Sequence, residues 1–177
     1  MALSPTIYKF NISLSDIDRG YYDSLHLTVA QHPSESTERM MVRVLAFCIN
    51  AEENLTFTRG LSEPDDPDIW SRALTGQIEQ WIDVGEPALD RIKKASRVAQ
   101  DVKLYSFNTK SDHWWSKIAG DIARLGVTAY QFEWDDIQRL AALVERTMTM
   151  SVTITGESAF IATESGECDL AWHALSV

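Results

Sequence analysis

The hydrophobic spacing of this chain switches repeatedly between the 3.6-residue repeat of a helix and the two-residue repeat of a strand, and the order of the switches limits its fold. Residues 34–50 carry a helical repeat that Ser34 can cap, with Glu35 in the first turn, where the helix dipole favours a negative charge. The next segments predict, in order, strands over residues 55–58, 69–74 and 77–84, a helix over residues 86–101 and a strand over residues 102–107. The resulting order, α-β-β-β-α-β, is that of a mixed α/β (α+β) domain.

Flanking segments add strands at both ends of this order. Residues 7–14 and 20–31 alternate apolar and polar positions around a polar segment, which predicts an N-terminal β-hairpin. The C-terminal part predicts a helix over residues 112–125, a strand over residues 127–132, a helix over residues 135–147 and a β-hairpin of residues 151–155 and 159–163. The 177 residues fit one domain, with a core of about residues 33–108, an N-terminal hairpin within residues 1–31 and a C-terminal extension over residues 109–177.

Several classes of protein are disfavoured by composition. The N-terminal residues lack the basic and apolar regions of a secretory signal, and no stretch approaches the ~18 apolar residues of a membrane span. We therefore expect a cytoplasmic protein that does not enter a membrane. Cys48 lies in an apolar helical pattern, so Cys48 and Cys168 are expected as buried thiols rather than as a disulfide framework. The four histidines lack the spacing of zinc ligands.

The charge of the chain restricts how it could bind nucleic acid. Sixteen basic and 26 acidic residues give a net charge of -10, which opposes non-specific attraction to phosphates. Binding to DNA or RNA therefore requires a local basic patch. The compact basic cluster of the chain is Arg91, Lys93, Lys94 and Arg97, at helical spacing. This cluster could contact phosphate, or it could be an ordinary solvated helix face.

Three carboxylates occupy positions that need an explanation. Glu38 shares a helical stripe with Val42, Leu45 and Ile49, either because it serves a metal or catalytic partner or because the first turn favours an acid. Asp83 lies between apolar residues in a predicted strand, where a carboxylate must be paired or coordinate a cation.

Asp68 immediately precedes another predicted strand, and the two aspartates are 83 − 68 = 15 residues apart. That separation allows an antiparallel pair of strands to bring both carboxylates to one end of the sheet. Paired carboxylate oxygens suit Mg²⁺ or Mn²⁺. A structural salt bridge for Asp83 and an ordinary turn at Pro67-Asp68 are the alternatives.

Four segments together resemble the YaeQ family over nearly the whole chain. They are His32-Pro33-Ser34-Glu35-Ser36-Thr37-Glu38-Arg39-Met40-Met41, Pro67-Asp68-Ile69-Trp70, Trp81-Ile82-Asp83-Val84-Gly85-Glu86-Pro87 and Lys93-Lys94-Ala95-Ser96. The resemblance implies a PD-(D/E)XK nuclease-like core with added N-terminal and C-terminal β-hairpins. It further implies that Glu38 is the helix acid of that superfamily, Asp68 the acid of the PD pair and Asp83 the acid of the (D/E)XK element.

One residue departs from the pattern that the resemblance implies. Gly85 stands where the superfamily has its lysine, and the resemblance makes Lys94, or alternatively Lys93, the replacement on the following helix. Loss of a lysine at this position affects catalysis more than metal binding, because the lysine stabilises the charge that develops on phosphorus.

Three functions remain open from the sequence. In the first, Glu38, Asp68 and Asp83 hold Mg²⁺ or Mn²⁺ and Lys94 assists hydrolysis of a phosphodiester in DNA or RNA. In the second, the chain is a catalytically degenerate scaffold that binds nucleic acid or a protein, consistent with the association of the family with transcription elongation. In the third, an exposed ring of the pair Trp114-Trp115 binds a protein partner, unless both rings pack against the core.

Overall fold

The computed structural model describes residues 3–176, which form one ten-stranded sheet and four α-helices. In chain order the elements are β1 (Thr6–Asp16), β2 (Tyr21–Gln31), α1 (Thr37–Ile49), β3 (Leu55–Phe57), β4 (Ile69–Arg72), β5 (Ile78–Val84), α2 (Leu89–Val98), β6 (Ala99–Ser106), α3 (Ser111–Ile122), β7 (Thr128–Phe132), α4 (Trp134–Ala141), β8 (Thr147–Thr155), β9 (Ser158–Thr163) and β10 (Gly166–Leu175). The mixed α+β class predicted from the sequence is confirmed.

The strands lie in the order β2-β1-β8-β9-β10-β7-β6-β5-β4-β3. The N-terminal hairpin joins the sheet through β1, which pairs parallel with β8 from Lys9↔Thr147 to Asp16↔Ile154. At the other end of the sheet, β5, β6 and β7 are parallel neighbours linked by α2 and α3. Parallel neighbours need such helical crossovers, and these place their carboxyl ends at one edge.

Two apolar clusters lie on opposite faces of the sheet, and the alternation of β5 assigns its side chains to them. Ile82 and Val84 belong to the larger cluster, to which α1 and α4 contribute. Trp81 points to the other face, where it joins Ile92 of α2 and Ile118 of α3. Because each fully buried side chain of this size contributes about 1.5–3 kcal/mol, the two clusters fix β5 from both sides. Asp83 shares the face of Trp81.

The start of α1 differs from the sequence prediction. Ser36, not Ser34, caps the helix by accepting a hydrogen bond from the Arg39 amide at 3.1 Å. Residues 32–35 form a turn instead, closed by the bond from the Glu35 amide to the His32 carbonyl at 2.8 Å. This turn buries Glu35 before the helix rather than placing it in the first turn.

Two helix ends were also predicted wrongly, and one strand was not predicted. The helix α2 ends at Val98 rather than near residue 101, because residues 99–101 pair with β5. The helix α4 ends at Ala141 rather than near residue 147, where β8 begins to pair with β1. The last strand, β10, was not predicted, although Cys168, Leu170 and Trp172 alternate with exposed residues along it.

The expectation of buried thiols is confirmed for both cysteines, which are free. Among the helices within residues 3–176, none is long and apolar enough to cross a membrane.

Candidate functional site

A cleft of about 830 Å³ opens beyond the carboxyl ends of β5 and β6. Gly85, Glu86 and Pro87 follow β5 into the cleft, and Phe107 and Asn108 follow β6. The first turn of α1, the loop before β4, and α3 complete its boundary. Ligands of open sheets with parallel strands bind in this position, outside the carboxyl ends of the strands, so this cleft is the candidate functional site.

Asp68 lies in the cleft as a buried carboxylate held by three hydrogen bonds. The Arg39 Nη2 lies 2.9 Å from both carboxylate oxygens, and the Val84 amide donates to Oδ2 at 2.8 Å. The position follows from the pairing of β4 with β5, because the Asp68 amide itself donates to the Ile82 carbonyl at 3.1 Å. The sequence prediction that Asp68 stands at the start of a strand agrees with this geometry.

Asp83 borders the same cleft and is also held by three hydrogen bonds. The Trp81 indole and the Arg91 Nε donate to Oδ2 at 3.0 and 2.9 Å, and the Arg91 Nη2 donates to Oδ1 at 3.1 Å. Burial raises the pKa of the Asp83 carboxyl, the bond from Arg91 lowers it, and the nearby charge of Asp68 raises it again. The antiparallel pairing of β4 with β5 thus brings the two aspartates together.

Arg91 also forms hydrogen bonds to the loop that precedes β4. Its guanidinium donates to the Pro64 carbonyl and, at 2.7 Å, to the Asp66 carbonyl. The same side chain therefore joins α2, the buried Asp83 and residues 64–66 of the loop. Leu61 and Pro64 of this loop face the cleft, so Arg91 holds one side of the cleft in place.

Glu38 and Lys94 occupy other places. Glu38 is half-buried in the first turn of α1, and neither it nor Lys94 or Lys93 borders the cleft. The Lys94 ammonium instead lies 2.7 Å from the carboxylate of exposed Asp65, and this hydrogen bond lowers the pKa of Asp65. Of the four proposed site residues, the structure brings two together and holds the other two apart from them.

The donor set does not fit a divalent cation in this arrangement. Within residues 3–176, no group of three histidine, cysteine, aspartate or glutamate side chains could hold a metal ion. Asp68 and Asp83 each accept three hydrogen bonds already, and the guanidinium groups of Arg39 and Arg91 place positive charge directly beside both carboxylates. Magnesium and manganese need several free oxygen ligands and would be repelled by these groups.

Sequence reasoning missed a third carboxylate in the cleft, that of Glu86. Burial raises the pKa of this half-buried side chain, while the Ser106 hydroxyl, the charge of Arg39 and the Phe107 amide oppose the rise. Glu86 directly follows Gly85, the first residue after β5, and its place three residues after Asp83 in the sequence was the signal available.

A basic face of α3, consisting of its N-cap residue Lys110 together with His113 and Lys117, was also missed. These three residues are exposed and border the cleft. Neither lysine forms an ion pair within the part of the chain that the structure describes. Their spacing of three and four residues puts them on one side of a helix, and this signal was present in the sequence.

The two adjacent tryptophans are both partly buried. Trp114 borders the cleft, and its indole donates to the Pro87 carbonyl at 2.8 Å. Trp115 packs against the smaller apolar cluster, and its indole donates to the Ser176 carbonyl at 3.2 Å. The pair therefore bridges the core and the edge of the cleft.

Comparisons with known proteins agree on one family. The family model described as YaeQ protein matches residues 1–172. An uncharacterised YaeQ protein of Salmonella typhi is 40% identical over 156 residues, covering 87% of this chain and 86% of that one, and that of Escherichia coli is 38% identical over the same shares. The crystal structure of the YaeQ protein from Xanthomonas axonopodis pv. citri has a TM-score of 0.95 at 34% identity, covering 98% of this chain and 99% of that one. The crystal structure of the YaeQ protein from Pseudomonas syringae has a TM-score of 0.92 at 34% identity, covering 98% and 97%. The chain belongs to the YaeQ family.

Proposed function

We propose that this chain is a nuclease-like protein that binds nucleic acid at the cleft without hydrolysing it. The placement in the PD-(D/E)XK superfamily is part of this proposal. It is supported by the order of the elements from α1 to β6, a helix, three strands, a helix and a strand. It is also supported by the position of Asp68 and Asp83 at one end of two paired strands.

The observation that supports the non-hydrolytic role is the pairing of both aspartates with arginine. Asp68 is bound by Arg39, and Asp83 is bound by Arg91, with both carboxylate oxygens engaged in each case. A metal-dependent nuclease needs these oxygens free for its cations. In this chain the same oxygens stabilise the fold of the cleft, because a buried carboxylate requires a partner.

Attraction of phosphate comes from the basic face of α3 rather than from the predicted cluster on α2. Lys94 of α2 is engaged by Asp65, and Arg91 is engaged by Asp83. Lys110 and Lys117 project at the edge of the cleft and are available to a phosphate backbone. A local patch of this kind can attract a polyanion to a protein of net charge -10, although salt weakens the attraction.

A second candidate function is metal-dependent phosphodiester hydrolysis in DNA or RNA. It is favoured by the meeting of Asp68 and Asp83 in one cleft of the size that binds small ligands. It requires both arginines to leave the aspartates, and it requires Mg²⁺ or Mn²⁺ to take their place. Glu38 and Lys94 would need to approach from outside the cleft.

Fluorescence anisotropy with labelled single-stranded DNA and RNA in EDTA tests the proposal. We expect binding that is weakened, but still measurable in low salt, in the double variant Lys110→Ala/Lys117→Ala and retained in full in the matched control Lys93→Ala/Arg97→Ala. The slope of log K against log salt should fall by about 1.4 in the first variant, because each lysine contributes about 0.7 for a single strand.

Incubation of the same oligonucleotides with Mg²⁺ or Mn²⁺ separates the two functions. We expect the oligonucleotides to remain intact. Metal-dependent cleavage that Asp83→Asn abolishes would establish hydrolysis instead. Absence of binding by wild-type protein in low salt would overturn the binding role.

A further inference from the structure

The cleft combines the basic face of α3 at its edge with an apolar wall inside. The apolar wall consists of Leu61, Pro64, Pro87, Phe107 and Trp114. A phosphate backbone needs only the charges at the edge, so the apolar wall calls for a ligand with an apolar, flat part. A nucleotide has both parts, a charged phosphate and an aromatic base.

Three members of the apolar wall, Trp114, Pro87 and Pro64, are held in place by hydrogen bonds. The Trp114 indole is bonded to the Pro87 carbonyl at 2.8 Å, which joins α3 to the segment after β5. The Pro64 carbonyl accepts a bond from Arg91, which also binds Asp83. A surface whose side chains are fixed before binding loses little conformational entropy when a ligand stacks on it.

The size of the cleft admits a single nucleotide that is free to leave its stack. A volume of about 830 Å³ lies within the usual range of about 300–1,000 Å³ for sites that enclose a small molecule or a cofactor. A single nucleotide can enter such a site, whereas a base inside a duplex must first leave its stack. The site therefore suits one unpaired nucleotide of a single strand.

The polar groups inside the cleft match the edge of a base. Glu86 supplies a carboxylate, an acceptor for the amino group of a base, and Asn108 supplies an amide that can donate and accept. The charges of Lys110 and Lys117 at the edge complement the phosphates on either side of the inserted nucleotide.

From this geometry we infer that the cleft accepts one unpaired nucleobase of a single-stranded nucleic acid, stacked on Trp114, while the basic face of α3 contacts the adjoining phosphates. This inference rests on the proposed binding function and adds the form of nucleic acid and the part of it that is recognised.

Trp114→Leu tests the inference, with Trp115→Leu as the matched control on the same helix. The probes are a single-stranded oligonucleotide, its duplex, and the same strand with abasic sites in place of bases. We expect Trp114→Leu to weaken binding of the single strand about 5- to 100-fold, the usual range for loss of one stacked base. Trp115→Leu should leave it unchanged, because Trp115 lies outside the lining of the cleft.

A second variant covers the case in which Trp114→Leu fails to fold. Leu61 is 42% exposed, so Leu61→Ser removes part of the apolar wall with little effect on the fold, and circular dichroism verifies this. We expect Leu61→Ser to weaken binding of the single strand. Binding of the duplex, which is weaker in the wild type, should be unchanged. A strand containing 2-aminopurine should change in fluorescence on binding to wild-type protein but not to Trp114→Leu.

The three probes distinguish a failure of the base-binding inference from a failure of the proposed function. If the duplex and the abasic strand bind as tightly as the normal strand, and binding still depends on Lys110 and Lys117, the base-binding inference is overturned and the proposed function stands. If none of the three probes binds in low salt, both are overturned.

Discussion

Replacement of Arg39 by methionine should destabilise the fold strongly although Arg39 lies at the edge of a cleft. Its side chain is 17% exposed and binds two buried carboxylates, those of Glu35 at 2.5 Å and Asp68 at 2.9 Å. Methionine keeps much of the apolar stem and removes the charge. Glu35 retains Arg43, at 2.5 Å, whereas Asp68 keeps a single donor, the Val84 amide.

The size of the effect follows from the burial of Asp68, whose side chain is 5% exposed. Breaking a buried ion pair by removing one partner costs about 3–5 kcal/mol, because the remaining charge is left uncompensated. We expect about 3–4 kcal/mol, since the Val84 amide still satisfies part of the carboxylate. For a domain of this length each kcal/mol lowers Tm by about 2–4 °C, so the melting temperature should fall by about 6–16 °C.

Urea unfolding followed by circular dichroism, together with thermal melting, measures this loss. Arg59→Met is the matched control, since it removes the same charge from a pair that is exposed, with Arg59 75% exposed and 3.4 Å from Glu63. An exposed pair contributes about 0–1 kcal/mol, so the control should melt close to the wild type. Adding Asp68→Asn to Arg39→Met should recover part of the loss, because the buried charge is then gone. Equal stability of Arg39→Met and Arg59→Met would refute the structural role of the pair.

Three other expectations concern buried titratable groups. Asp83→Ala should lower the free energy of unfolding in EDTA by about 2–4 kcal/mol, because it leaves half-buried Arg91 unpaired, and unchanged stability by urea unfolding would contradict this. Glu86→Gln should raise stability at neutral pH. Burial raises the pKa of Glu86 above its ordinary 4.5, so the folded protein binds this proton more tightly than the unfolded chain does. The stability of the wild type therefore falls as the pH rises past 4.5 and the half-buried carboxyl loses its proton. The gain should shrink toward about pH 4 in a series of melts, and a gain that is independent of pH would point to another cause. Burial raises the pKa of the Cys48 thiol to about 12, so a thiol reagent should label it in denaturant and not in the native protein.

Local periodicity predicted the elements of this fold better than their ends. The alternation along β1 was visible in the sequence, because this strand buries every second residue from Phe10 to Asp16. The strand β5 is instead buried on both faces, and its alternation directs Trp81 and Ile82 into different apolar clusters. The ends depend on distant partners. The sequence of residues 99–101 is typical of a helix end, and only their pairing with β5 shows that they belong to a strand. Similarly, the parallel pairing of β1 with β8 joins segments more than 130 residues apart.

The site was predicted in part for a similar reason. The 15-residue spacing of Asp68 and Asp83 correctly implied that adjacent strands bring them together. The choice of Glu38 relied on a stripe of apolar residues in α1, but all residues from Met40 to Cys48 are buried, so the stripe did not select one face. Successive helical residues differ by about 100° in direction. It is therefore Arg39 that reaches the cleft, and the identity of its partners could be found only from the three-dimensional arrangement.

The backbone conformation of Gly85 relates the absence of a lysine at this position to the pairing of the two aspartates with arginine. Its φ of 104° lies in the region that favours glycine, and its amide donates to the Tyr105 carbonyl at 2.8 Å. A lysine here would strain the backbone, although no atom lies within 4 Å of the position that its Cβ would take. The turn at Gly85 directs Glu86 into the cleft, so the backbone conformation that excludes a lysine also adds a third carboxylate. Positive charge must then come from other elements, and Arg39 and Arg91 provide it by direct pairing with the aspartates. In the function that we propose, this pairing with arginine is the reason why the cleft holds a strand and does not cut it, because the carboxylate oxygens are already engaged.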